Sequence, residues 1–264
     1  MAAPVAPRAP ATADLDRVPA IARSLARTAG GYLRNTVRDP HLTCATCTAP
    51  IPGDAEHCRT CRRRLATGGL ADLVVPLAYA VADGPSHELL RAYKDDFDPA
   101  ARERAALILT EVLFLAIVLH QNCIEQRIGR PVDRRLTIPS LSGRPGVHPF
   151  TAIAQRINAV TPTPALVRSS GASGERIVSG AQFRLHPADT DLSGQHVLLL
   201  DDTWTSGSRT QSAALTLRRC GAAYVSVLVI GRYLKPGPNA EFIKTRLHGD
   251  YDPYRCPVTG GGCR

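Results

Sequence analysis

"HVLLLDDTWTSGSRTQSAALTLRRCG", residues 196–221, decides how this chain is read. Val197 to Leu200 are apolar without alternation, the pattern of a strand covered on both faces within a parallel sheet. Asp201 and Asp202 stand at its carboxyl end, the edge beyond which open parallel sheets bind their ligands. Thr203 to Ser208 are short, hydroxylated and pliant around Gly207, and a helix over 208–220 follows. Backbone N–H groups in such a turn wrap an anion where the helix dipole assists. A capping residue alone would end the strand and start the helix, and two adjacent acids repel each other. One ligand class suits both halves: a sugar phosphate, with its phosphate in the turn and its vicinal hydroxyls on the carboxylates.

Outward from that stretch, strand-like and helical segments alternate. Helices are expected near 86–94, 99–121 and 149–160, and strands near 135–139, 164–168 and 224–232. Two short extended segments are expected around "GERIVSGAQFRL" (174–185). Buried strands alternating with helices give an α/β fold with a parallel sheet flanked by helices. Upstream, residues 15–29 space apolar side chains as an amphipathic helix does, and Gly30-Gly31 end it. The spacing divides the chain into a disordered Ala/Pro-rich tail (1–14), a helical segment (15–38), a four-cysteine module (39–67), a main domain (70–235) and a C-terminal extension (236–264). "ATGG" at 66–69 reads as the hinge between module and main domain.

The chain has 264 residues, 44% hydrophobic and 21% charged, the proportions of a globular protein. Its net charge of +9 is densest at the N-terminal end, where residues 1–70 hold ten basic and five acidic groups. A basic surface suits polyphosphate ligands or nucleic acid. The 29 arginines against three lysines also fit a GC-rich genome, so charge alone does not choose. The most apolar run, Leu107 to Leu119, has 13 residues including Glu111 and reads as a buried helix without membrane insertion. With no secretory signal visible, the expected compartment is the cytoplasm, where cysteine pairs are metal ligands rather than disulfides.

Cys44, Cys47, Cys58 and Cys61 follow a C-x2-C-x10-C-x2-C pattern. Two such turns offer four thiolates to one tetrahedral Zn²⁺ and leave no open position for water, which makes the expected zinc structural. An iron–sulfur or redox role stays open at this point. Arg62-Arg63-Arg64 just beyond is either a solvated turn or a phosphate contact. Cys256 and Cys263 form a looser pair that binds metal with another group or does nothing, and Cys123 and Cys220 read as ordinary buried thiols.

"VLLLDDTWTSGS" resembles the phosphoribosyl-pyrophosphate (PRPP) motif of type I phosphoribosyltransferases. With the four-cysteine module upstream, residues 40–232 look like the ComF family, a zinc ribbon fused to such a domain. "RAYKDD" (91–96) resembles that family's Tyr/Lys segment, and "RIVSGAQFRL" (176–185) another of its regions, with Ser179 in place of an asparagine. The resemblance implies that Asp201 and Asp202, the catalytic pair, hold the ribose 2- and 3-hydroxyls directly or through Mg²⁺. Thr203, Thr205, Ser206, Gly207, Ser208 and Arg209 would complete the PRPP site, with the 5-phosphate on the turn. "TIPSLSGRPG" (137–146) would be the pyrophosphate loop, with Ser140, Gly143 and Arg144 as anion contacts. Two positions depart from the pattern: Arg209 stands where the motif closes with threonine, and "GVHPFTAIAQR" (146–156) replaces an "R-G-F-N-Q"-like stretch. The implied activity is Mg-dependent transfer of a phosphoribosyl group to a nitrogenous acceptor with release of pyrophosphate. The alternative it implies is a non-catalytic PRPP-responsive or single-stranded-DNA-binding protein of DNA uptake, for which Trp204 is the candidate stacking residue; covering the ribose or the apolar underside of the turn suits Trp204 equally. A homodimer is left open.

Overall fold

The computed structural model describes residues 12–66, 68, 70–141, 146–173 and 177–263. In chain order the first half holds α1 (Thr12–Leu25), a π-helical turn (Ala26–Gly30), α2 (Arg59–Leu65), β1 (Leu73–Val81), α3 (Pro85–Asp95) and α4 (Pro99–Ile128). The second half holds β2 (Arg134–Thr137), α5 (Pro149–Arg156), β3 (Ala165–Arg168) and β4 (Phe183–His186). It ends with β5 (His196–Trp204), α6 (Ser208–Arg219), β6 (Tyr224–Leu234) and α7 (Pro236–Arg246). Four strands make a parallel sheet in the order β1-β6-β5-β2, and β3 and β4 form a separate antiparallel pair. The fold is therefore α/β with a parallel sheet flanked by helices.

Period-two alternation sorts the central strands onto two cores. Leu198 and Leu200 of β5, with Leu228 and Ile230 of β6, face a core built with α1, α3, α4 and α5. Val197 and Leu199, with Val225, Val227 and Val229, face a second core that includes α6, the β3–β4 pair and three cysteines of the four-cysteine module. The strand is apolar on both faces because both faces are covered.

Several elements differ from the sequence reading, among them the helices α2 and α7, which it does not contain. Strand β1 lies where the sequence reading names no element; Pro76 sits inside it, tolerated because the strand is at the edge of the parallel sheet. Helix α4 starts where the sequence places it and runs 30 residues, past the expected end at 121, from the Asp98 cap to Gly129 in the left-handed region. By length and composition it is able to cross a membrane; here Leu109, Val112, Leu113, Leu115 and Ile124 are buried against the sheet and the neighbouring helices. Only β4 forms among the two segments expected around 174–185, with residues 174–176 outside the described set. Of the expected tail, residues 1–11 lie outside the described residues, and α1 begins at Thr12.

Candidate functional site at the carboxyl end of β5

The acids do not follow the strand but belong to it. Strand β5 continues to Trp204 because β6 extends alongside, pairing Asp201 with Val229 and Thr203 with Gly231. Alternation then sends the two carboxylates to opposite faces of the sheet. Asp202 points toward α3, where its Oδ2 accepts the Tyr93 hydroxyl and pairs with the Lys94 ammonium. Asp201 points toward α6: its Oδ2 accepts from Thr210 Oγ1 at 3.1 Å, and its Oδ1 from the Asp202 N–H at 2.9 Å. The approach of α3 depends on Gly231, since a Cβ there would lie 2.3 Å from Leu90 Cδ1.

These surroundings split the two acids electrostatically. Burial, then the charge of Asp202, pushes Asp201 up to about 7. Burial also acts to raise Asp202, but the Lys94 charge and the hydrogen bonds from Lys94 and Tyr93 outweigh it and hold the carboxyl below its ordinary value. Burial and the adjacent Asp202 raise Tyr93 well above the usual phenol, so it serves as a donor. His148 at the start of α5 adds a further favourable charge effect on Asp202. No sequence motif pointed to His148, which lies within the departing "GVHPF" stretch.

The turn from Thr205 to Arg209 faces the acids across a cleft of about 410 Å³, lined also by His87, Arg91 and Lys94. Gly207 has φ of +74°, and a Cβ on it would lie 2.2 Å from the Trp204 ring, so both backbone and space require glycine. Helix α6 starts at Ser208, presenting its N-terminal end and the Thr205, Ser206 and Ser208 hydroxyls to the cleft. The start of a helix is chemically suited to an anion. Trp204 itself is 1% exposed, packed beneath the turn in the second core, which removes it as a stacking surface for bases.

The four-cysteine module holds the turn from below. The sulfurs of Cys44, Cys47, Cys58 and Cys61 all lie within 4.8 Å of one another, with Cys47 and Cys58 3.8 Å apart. Tetrahedral Zn²⁺ with bonds of about 2.3 Å sets sulfurs roughly 3.8 Å apart, so the donor set fits that ion. The buried Arg232 guanidinium donates to the carbonyls of Cys47, Trp204, Thr205 and Tyr233, joining the module to the turn. Arg64 of the Arg62–Arg64 run donates to the Ser206 carbonyl. The basic run is thus partly a structural contact.

Of the expected pyrophosphate loop, Ser140 lines a neighbouring cavity of about 250 Å³ together with Thr137, His148 and Thr151. Gly143 and Arg144 lie outside the described residues. The 177–185 stretch packs on α6, with the Ser179 N–H donating to Ser212 Oγ. One sequence reading needs correction: Cys123 is not an isolated thiol, because His120, Cys123, Cys256 and Cys263 converge as a second group.

No protein-family model and no curated protein matches this chain. Among solved structures, a purine phosphoribosyltransferase from Pyrococcus horikoshii Ot3 aligns with 52% of this chain and 87% of its own, at 14% identity and a TM-score of 0.26.

Proposed function

We propose that the chain is a PRPP-binding, phosphoribosyltransferase-like protein of the ComF type, with a structural zinc on Cys44, Cys47, Cys58 and Cys61. The observation that carries this reading is the pairing, in one cleft, of Asp201 and Asp202 with the Thr205–Arg209 turn at the start of α6. The turn takes the 5-phosphate, and the acids take the ribose hydroxyls. Lys94, paired with Asp202 in the ligand-free chain, lines the same cleft and supplies a cation for phosphate oxygens there. Mg²⁺ is the ion such a diphosphate brings, held largely by phosphate oxygens and water. Transfer to a nitrogenous acceptor then rests on positioning and charge stabilisation: the acids face the positive charge that develops on the ribose ring. Calorimetric titration of Mg·PRPP into wild type and an Asp201→Ala/Asp202→Ala variant tests the site. Binding that disappears in the variant supports the reading, and a folded wild type that binds no PRPP defeats it.

A second reading, a PRPP-responsive module without turnover, is favoured by one observation. Arg64 and Arg232 tie the turn to the cysteine module, so a ligand that orders the turn acts on that module as well. Pyrophosphate release with a panel of bases separates the two readings. Salt-dependent binding of single-stranded DNA, strengthened or weakened by PRPP, would define the partner of the non-catalytic form.

A further inference from the structure

We propose a second, structural zinc centre formed by His120, Cys123, Cys256 and Cys263, separate from the Cys44–Cys61 module and outside the lining of the cleft. The four donor atoms, one from each residue, all lie within 4.8 Å of one another, with His120 Nδ1 3.3 Å from Cys263 Sγ. A tetrahedral zinc site with one nitrogen and three sulfurs has edges of roughly 3.5–3.8 Å, so a small contraction around an ion completes it.

Each half of the site is built for this. His120 and Cys123 are three apart on α4 and share a helix face. His120 is 2% exposed, and its Nε2 lies 2.8 Å from the Pro253 carbonyl. A carbonyl only accepts, so Nε2 carries the hydrogen and Nδ1 turns its lone pair on the thiols. An outer backbone partner that fixes tautomer and ring orientation is the usual companion of a metal-ligating histidine. On the other side, Cys256 and Cys263 bracket a tight turn. The Gly260 N–H donates to the Cys256 carbonyl at 2.8 Å, the Cys256 N–H to the Gly261 carbonyl at 2.7 Å, and Gly260 sits at φ +83°.

The site has a structural task. Beyond α7 the described chain to residue 263 has no helix or strand. It is nevertheless laid against the N-terminal segment: Tyr251 N–H donates to the Gly30 carbonyl at 3.1 Å, and Asn35 and Asp252 exchange two hydrogen bonds. The Arg38 guanidinium donates to carbonyls of Pro257, Ala45 and Val74. One arginine therefore joins the loop of the second cysteine group, the first cysteine turn and strand β1. A metal at His120 would anchor this irregular tail to the longest core helix.

Zinc content measured by plasma mass spectrometry on the full chain, purified under reducing conditions, tests the proposal. A Cys256→Ser/Cys263→Ser variant should hold one zinc ion per chain fewer than wild type, whatever the first module holds. A Cys44→Ser/Cys47→Ser variant should retain the second ion. Alkylation of the metal-loaded wild type, read residue by residue, gives an answer that needs no variant to fold. Cys123, Cys256 and Cys263 should be protected, and a chelator alone, with no reductant, should expose them together. Equal zinc in wild type and the Cys256→Ser/Cys263→Ser variant overturns the centre. So does ready alkylation of these three thiols before chelation, or protection that yields to reductant but not to chelator, the mark of a disulfide.

Discussion

Lys94 closes an ion pair on Oδ2 of Asp202, the more buried of the two adjacent acids, and the Tyr93 hydroxyl meets the same oxygen. Removing the cation leaves a carboxylate buried without its main compensation. A Lys94→Met variant, which keeps the apolar stem, should lose roughly 2–3 kcal/mol of stability at pH 8, toward the low side of broken buried pairs because Lys94 keeps some contact with water. Asp202 is depressed in the folded wild type, so its stabilising contribution is present above the ordinary carboxyl range and fades below it. The deficit of the variant should therefore shrink at pH 5, where its unpaired Asp202 takes up a proton. Urea unfolding at the two pH values decides the matter. A deficit that does not change with pH would mean that Lys94 acts by packing alone.

Asp201 behaves in the opposite sense. Its folded-state value of about 7 stands above that of an unfolded aspartate, so the native protein holds an extra proton between about pH 4 and 7. Stability contributed by that proton is full at low pH and falls as pH rises through 7. The ligand-free protein should lose on the order of 1 kcal/mol between pH 6 and 8 from this group, and Asp201→Asn should abolish that slope. Binding of Mg·PRPP should release a proton near pH 6.5, visible as a dependence of the calorimetric heat on buffer ionisation. Equal heats in phosphate-free buffers of different ionisation enthalpy would count against an ionisation change at this acid.

Gly207 and Trp204 form one steric unit. An alanine at 207 meets the indole at 2.2 Å and has to hold a left-handed backbone, so Gly207→Ala should shift the turn and weaken PRPP binding at least tenfold. The chain has one tryptophan, and it lies under this turn. Its emission should therefore move to longer wavelength in the variant, while far-ultraviolet dichroism stays native. Unaltered emission together with unaltered affinity would show that the turn tolerates a side chain.

The sequence was most legible where local pattern and chemistry coincide. The unalternating Val197–Leu200 run marked a central strand, the Gly207 turn marked the start of α6, and the C-x2-C pairs marked a donor set that the fold does bring together. It was least legible where meaning depends on distant partners. Strand β1 carries Pro76, and nothing local reveals that it is an edge strand with one parallel neighbour, where proline is tolerated. His148 acquires its electrostatic role only through its position relative to Asp202. Arg232 reads as the polar end of an apolar strand, yet it connects the Cys47 carbonyl, 185 positions away, to the turn. Cys123 and Cys256 are 133 positions apart and join only because the tail returns to α4.

The Arg232 guanidinium couples the first cysteine module to the turn at the start of α6. It donates at 3.0–3.1 Å to the carbonyls of Cys47, Trp204 and Thr205, all in protein interior or at its margin. Without it, several carbonyls lose their donor, each at a cost of about 1 kcal/mol or more. Arg232→Met should therefore destabilise the chain by roughly 3 kcal/mol and weaken PRPP binding, even though Arg232 is not among the residues that line the cleft. Removing metal from Cys44, Cys47, Cys58 and Cys61 should reproduce the binding defect, because the Cys47 carbonyl then loses its fixed position. Trp204 emission and PRPP affinity should change together on chelation and recover together when zinc is restored. In a Cys256→Ser/Cys263→Ser background the same coupled change should persist, which assigns it to the first module. Chelation that strips this module while leaving both emission and affinity untouched would mean that the turn stands without its support.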